Sequence, residues 1–150
     1  MENVHQWQQA WGEGIVWIGS APTWEEAAER AKEFISTHYT LDGTLLFFPT
    51  KAAERPFRPN LEGILSYFVG QNPNFPEDGG FALQPWTHVR FENEGIVETE
   101  GLTVAMGHYF FTTVEGDEVK VEYTFGYIPD TRGGARIQVH HSALPFQPNA

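Results

Sequence analysis

The chain is predicted to be an α+β domain, with N-terminal helices packed on a curved antiparallel sheet, and three features predict it. Apolar residues recur at steps of three and four early in the chain. From about residue 83 the period changes to two. Tight-turn signals then separate the alternating segments, as in an antiparallel meander. Helices first and strands afterwards is the order of an α+β fold.

Val4, Trp7, Trp11, Ile15 and Ile18 mark one face of a helix over 3–18, whose Gly12 and Gly14 make it dependent on tertiary support. Ala21-Pro22 breaks it. Thr23, with Glu26 three residues on, reads as a capping box that starts a second helix reaching about Tyr39, with Ala27, Ala31, Phe34, Ile35 and His38 inward. Thr44–Pro49 is a short buried strand. Asn60 caps a third helix to about Val69, with Leu61, Leu65 and Phe68 inward, and Gly70–Gly80 is a surface loop. Four strands follow, at about 83–97, 102–114, 118–128 and 135–143, with turns at Glu98-Thr-Glu-Gly101 and Glu115-Gly-Asp117.

The 150 residues fit a single domain, 1–150, long enough to bury a core without staples. Twelve Phe, five Trp and five Tyr must fill a core, a pocket or an interface. A net charge of −11 disfavours nucleic acid and anionic membranes, so neither is an expected partner. Lys51, Arg55 and Arg58 read as a solvated loop. The absence of cysteine removes thiolate chemistry and thiolate zinc sites. No stretch has the length and apolarity of a membrane span or a signal peptide, and the expected location is the cytoplasm.

Register guessed from the turns sorts the strands into two faces. Val89 and Phe91 are expected to share the inner face with Met106, His108 and Phe110, with Val119, Val121, Tyr123, Phe125 and Tyr127, and with Ile137, Val139 and His141. His88, Arg90, Glu92, Tyr109, Phe111, Glu122 and His140 are expected outside. There Tyr109 and Phe111 would form a homodimer surface and Glu122 could pair with His140.

Much of the chain also resembles a known family. The segments are Phe48-Pro-Thr-Lys-Ala-Ala-Glu54, Glu62-Gly-Ile-Leu-Ser-Tyr-Phe-Val-Gly70, Gly80-Phe-Ala-Leu-Gln-Pro-Trp86, Val119-Lys-Val-Glu-Tyr-Thr-Phe-Gly-Tyr127 and the terminal Val139-His-His-Ser-Ala-Leu-Pro145. They are similar to a bacterial, SnoaL-like branch of the nuclear transport factor 2-like superfamily, akin to the association domain of calcium/calmodulin-dependent protein kinase II. Ala143 replaces a second Ser of the terminal motif, and His108 stands where close relatives have Asn. The resemblance implies a cone-shaped half-barrel of the cystatin-like kind, with a pocket between helices and sheet, in a dimer or larger assembly. Some relatives are called phosphoribosyl-AMP cyclohydrolase, an enzyme that resembles zinc hydrolases with cysteine ligands, which this chain lacks.

The candidate ligand contacts are Tyr67, Trp86, His108, Tyr123 and His141, because histidine exchanges protons near neutrality and a phenol donates to a carbonyl or carboxylate. No catalytic residue is singled out. Metal binding is not expected: His140 and His141 are adjacent on a strand and cannot chelate one ion together. No cofactor is expected either. The functional expectation is a small-ligand-binding or self-association domain, holding an apolar or anionic molecule in a cavity of a few hundred Å³. The alternative is a cofactor-free isomerase, cyclase or lyase with a pocket histidine as acid or base.

Overall fold

The computed structural model describes residues 2–131 and 133–148. Helix α1 spans Glu2–Gly19, α2 Trp24–His38 and α3 Leu61–Val69. The strands are β1 Leu46–Phe48, β2 Trp86–Thr99, β3 Leu102–Thr113, β4 Glu118–Pro129 and β5 Ala135–Ala143, in the spatial order β1-β5-β4-β3-β2. The four long strands are antiparallel, and β1 joins the edge parallel to β5. Helices packed on this curved sheet make the expected α+β half-barrel.

The helix signals act as local chemistry predicts. Thr23 accepts a hydrogen bond from Glu26 N at 3.1 Å, and Asn60 accepts one from Gly63 N at 3.2 Å. Glu26 then turns to Arg30 rather than closing the reciprocal half of a capping box. The two glycines of α1 permit close packing. A Cβ on Gly12 would lie 3.0 Å from Val89 Cβ, and one on Gly14 would run into the Phe34 ring. In α3 the buried face is Ile64, Tyr67 and Phe68; of the other residues expected inward, Leu65 is partly covered and Leu61 is exposed.

Among the described residues the sheet has register irregularities at three points, one at the start of β2 between Trp86 and His88, and the other two re-phase the strands around the core. In β2, Asn93 pairs with Gly107 but Gly95 pairs with Met106, so Glu94 is extra. In β5, Val139 pairs with Gly126 but Ile137 pairs with Tyr127, so Gln138 is extra. Each bulge advances the side-chain alternation by one residue. On β2 the inward set changes from Ile96 to Phe91 and Val89, and on β5 from Ile137 to His140 and Ser142. Tyr109 and Phe111, opposite Phe91 and Val89, therefore point into the core and cannot form the expected outer dimer surface. Met106 and His141 are exposed, and His108 is on the same outer side, 3.6 Å from Glu122, which takes the place expected for a Glu122–His140 pair. The inward face of β4 is as expected, with Val121, Tyr123, Phe125 and Tyr127 buried.

The loop read as a solvated basic segment is also different. Arg58 is fully buried, with both guanidinium nitrogens 2.8 Å from the Asp78 carboxylate. Arg58 also donates to the carbonyls of Gly63 and Arg55, and Ser66 Oγ donates to Asp78 at 2.6 Å. Glu77 accepts from the backbone N–H groups of Ala53, Glu54 and Arg55, which holds its carboxyl down to about 2. The long loop of residues 70–80 thus clamps the segment that follows β1.

Candidate functional site

Between the helices and the sheet, aromatic rings fill most of the expected cavity. Trp11 of α1 stacks on Tyr109 at 5.5 Å between centroids and meets Phe125 edge-on at the same distance. Phe47 stacks on the His140 ring at 4.5 Å. What remains is a void of about 10 Å³, roughly what a single water needs. Its apolar walls are Trp11, Phe47, Phe68 and Phe81, and its polar groups come from Thr50, Tyr67, Tyr109, His140 and Ser142. The sheet and helices leave no cavity of a few hundred Å³ at this position because the large aromatic content is spent here.

The polar groups form one continuous line. Trp11 Nε1 donates to the Tyr39 hydroxyl at 3.1 Å, and that hydroxyl lies 2.9 Å from His140 Nδ1. On the other side of the ring, His140 Nε2 lies 3.1 Å from the Tyr109 hydroxyl. Tyr109 is in a short hydrogen bond with Ser142 Oγ, which lies 2.6 Å from Thr50 Oγ1. Tyr67 accepts from the backbone N–H of Lys51 at 3.2 Å, and its hydroxyl is also bonded to Thr50. The members come from six parts of the fold: α1, the residue that caps α2, the turn after β1, α3, β3, and β5, which supplies both His140 and Ser142. The β5 bulge places His140 and Ser142 together on this side.

Burial sets the charge state of the line. It pushes the phenols of Tyr39, Tyr67 and Tyr109 above their usual range. It also holds the His140 imidazole well below 6.5, reinforced by His141 beside it, so the ring is neutral at pH 7. Hydroxyls and one imidazole then face an apolar void without a resident charge. Among the described residues, no three His, Cys, Asp or Glu stand together in a group that could hold a metal ion. The cluster can offer hydrogen-bond donors to developing negative charge, and acceptors that orient a small nucleophile.

The structure places the five sequence-derived candidates in three places. Tyr67 lines the void, and also a neighbouring cavity of about 220 Å³ that it shares with Trp86, Lys51 and Phe81. His108 and His141 lie across the sheet, in an outer-face groove of about 500 Å³ with Glu92 and Glu122. The Tyr123 side chain is inward but occupied. Its hydroxyl accepts from Gln8 Nε2 at 2.9 Å and donates to Asn93, and burial raises it to about 12. Sequence reasoning did not single out Tyr39, Thr50, Tyr109, His140 or Ser142 as contacts. One signal could have found three of them: Gly107 and Gly126 lie opposite the two bulges, and an isolated glycine within a strand marks a bulge or a close backbone approach.

Comparison with known proteins bears on this cluster. The metal-independent carbonic anhydrase family matches residues 2–144. A metal-independent carbonic anhydrase from Nostoc sp. strain PCC 7120 is 38% identical over 145 residues, 93% of this chain and 71% of that protein. The crystal structure of a cyanobacterial iota-carbonic anhydrase complexed with bicarbonate superposes with a TM-score of 0.94 at 36% identity, covering 97% of this chain and 92% of that one. A calcium/calmodulin-dependent protein kinase II association domain structure from Xanthomonas campestris shares the fold, with a TM-score of 0.56 at 22% identity over 97% of this chain and 83% of that one.

Proposed function

The chain belongs to the metal-independent carbonic anhydrase family, and from that premise we propose that its buried hydroxyl–imidazole line interconverts carbon dioxide and bicarbonate. The reaction is CO2 + H2O ⇌ HCO3⁻ + H⁺. It lies within the lyase class that the sequence kept as its alternative, and gives a chemical identity to the small molecule expected in the cone.

The observation that carries the reading is the unbroken line Tyr39–His140–Tyr109–Ser142–Thr50 at the edge of a water-sized, otherwise apolar void. Carbon dioxide is apolar and has three heavy atoms. Its apolar character suits the walls Trp11, Phe47, Phe68 and Phe81, and its three heavy atoms require the water-sized void to widen. As the water oxygen bonds to carbon, negative charge grows on the former carbon dioxide oxygens. Hydroxyl donors in a dry site stabilise that charge more than they would in water, with no reorganisation at the moment of reaction. Admission of substrate requires Tyr67 or Phe81, which form a stacked pair 5.5 Å apart, to yield toward the 220 Å³ cavity on their far side.

The reading is tested by ¹⁸O exchange between carbon dioxide and water, with the protein freed of metals by chelation and its residual metal content measured. Catalysed exchange in the wild type, lost in Tyr109→Phe and Ser142→Ala, is the expected result. A folded wild type that exchanges ¹⁸O no faster than buffer would refute it.

A further inference from the structure

Tyr39 lies outside the walls of the void, yet it has the geometry to decide which way every hydrogen in the line points. Its hydroxyl is fully buried and has two partners, Trp11 Nε1 and His140 Nδ1. The indole N–H only donates, so it fills an acceptor position on the Tyr39 oxygen and can receive nothing back. The Tyr39 hydrogen is left with a single acceptor, His140 Nδ1. A buried hydroxyl hydrogen without an acceptor is costly, and donation to Nδ1 avoids that cost.

We propose that Tyr39, backed by the Trp11 N–H, is a positioning residue that holds His140 as its Nε2–H tautomer and so gives the whole line one direction. Nδ1 is occupied as an acceptor, so the neutral ring carries its hydrogen on Nε2 and donates it to the Tyr109 oxygen at 3.1 Å. Tyr109 then donates to Ser142, and Ser142 to Thr50. The line ends at the Thr50 hydroxyl, which is bonded in turn to the Tyr67 hydroxyl on the other wall of the void. Accepting at Nδ1 also polarises the ring and strengthens donation from Nε2, because consecutive hydrogen bonds reinforce one another. The opposite tautomer would leave the Tyr39 hydrogen stranded in the core. The catalytic consequence rests on the carbonic anhydrase reading; the tautomer does not.

Two measurements test this separately. Long-range ¹H–¹⁵N spectra of the whole protein should show His140 protonated on Nε2, with Nδ1 a hydrogen-bonded acceptor. In Tyr39→Phe the Nδ1 resonance should move to that of a ring nitrogen without a donor, or the tautomer should switch. Trp11→Phe should produce a smaller change in the same direction. The carbon dioxide hydration kcat of Tyr39→Phe should fall by roughly two- to tenfold with KM little changed, the order of one net hydrogen bond. A wild-type His140 protonated on Nδ1, or ring shifts indifferent to Tyr39→Phe, would overturn the proposal. A shifted Nδ1 with an undiminished kcat would overturn the positioning role. Absence of hydration in the wild type would instead refute the carbonic anhydrase reading, with the tautomer still decided by the spectra.

Discussion

Tyr109 on β3 and His140 on β5 meet across β4, hydroxyl to Nε2 at 3.1 Å, although their strands never pair. The contact exists because both side chains rise from the inner face over the intervening strand. Tyr109 reaches that face in the regular β3–β4 ladder, opposite Val121, and His140 reaches it because the β5 bulge re-phases its strand. The line of hydrogen bonds is therefore a product of sheet geometry, and several of the predictions below act on that geometry.

Ser142→Ala removes the link between Tyr109 and Thr50 without changing the size of the void much. It should lower carbon dioxide hydration by roughly 10²-fold, as deletion of one oriented donor does in other sites of this type. The loss of stability should be only about 1–3 kcal/mol, the cost of leaving a buried hydroxyl unpaired. Stopped-flow hydration and urea unfolding on one preparation separate the two effects.

Gly107→Ala should destabilise the fold by about 1–3 kcal/mol or more, the usual cost of overpacking. A Cβ at this position would collide with Glu92 O and come within 2.7 Å of Glu94 N, both backbone atoms of the bulged strand. Relief requires β2 to move away or lose its bulge, and loss of the bulge would turn Phe91 out of the core. The unfolding midpoint gives the energy, and near-ultraviolet circular dichroism reports the Trp11–Tyr109 stack.

Stability should fall as pH drops below neutrality because the half-buried His38 and the buried His140 resist protonation. Burial, aided by Arg136, lowers His38 to about 4, and burial holds His140 well below its ordinary value. Both folded-state values lie below the unfolded value of about 6.5, so the unfolded chain binds more protons in acid. Stability is complete above about pH 6.5 and declines from there toward pH 4, by up to about 1.4 kcal/mol per pH unit for each histidine. Glu77 adds its own loss only as pH falls below the ordinary carboxylate range toward about 2. Urea midpoints between pH 7 and 5 should therefore slope downward, and His38→Gln should make the slope shallower.

Asp78→Ala strands the Arg58 guanidinium in the interior and should cost about 3–5 kcal/mol, as broken buried ion pairs do. It also frees the segment that carries Thr50 and Lys51, so surviving protein should lose hydration activity as well. Replacing Arg58 and Asp78 together with Met and Leu should recover much of the stability. A double-mutant cycle by thermal unfolding measures the coupling.

The helices and the strand order were legible because their signals are local. Thr23 and Asn60 cap the helices they were expected to cap, and alternation along β4 identified Val121, Tyr123, Phe125 and Tyr127 as its inner residues. The candidate site was much less legible. Glu94 and Gln138 carry no mark of an extra residue in the ladder, and the alternation rule, continued through them, puts Tyr109 and His140 outside. Arg58 looked solvated because its partner, Asp78, lies twenty residues away across two loops and a helix. Tyr67 was legible because it sits on a strongly apolar helix facing the sheet.

His140 and His141 are the same residue type side by side, and only the phase of the backbone buries one in the core and leaves the other on the outer surface. In β5, backbone phase therefore does the work usually credited to side-chain identity. The extra residue Gln138 lets Ile137 and His140 face the same side, and removing it would leave a regular ladder with Val139 still opposite Gly126 and both histidines on their present faces. Away from that bulge, a one-residue insertion or deletion in this strand is, in effect, a simultaneous substitution at every position beyond it. Alignments that treat such gaps as neutral would pair the wrong histidines.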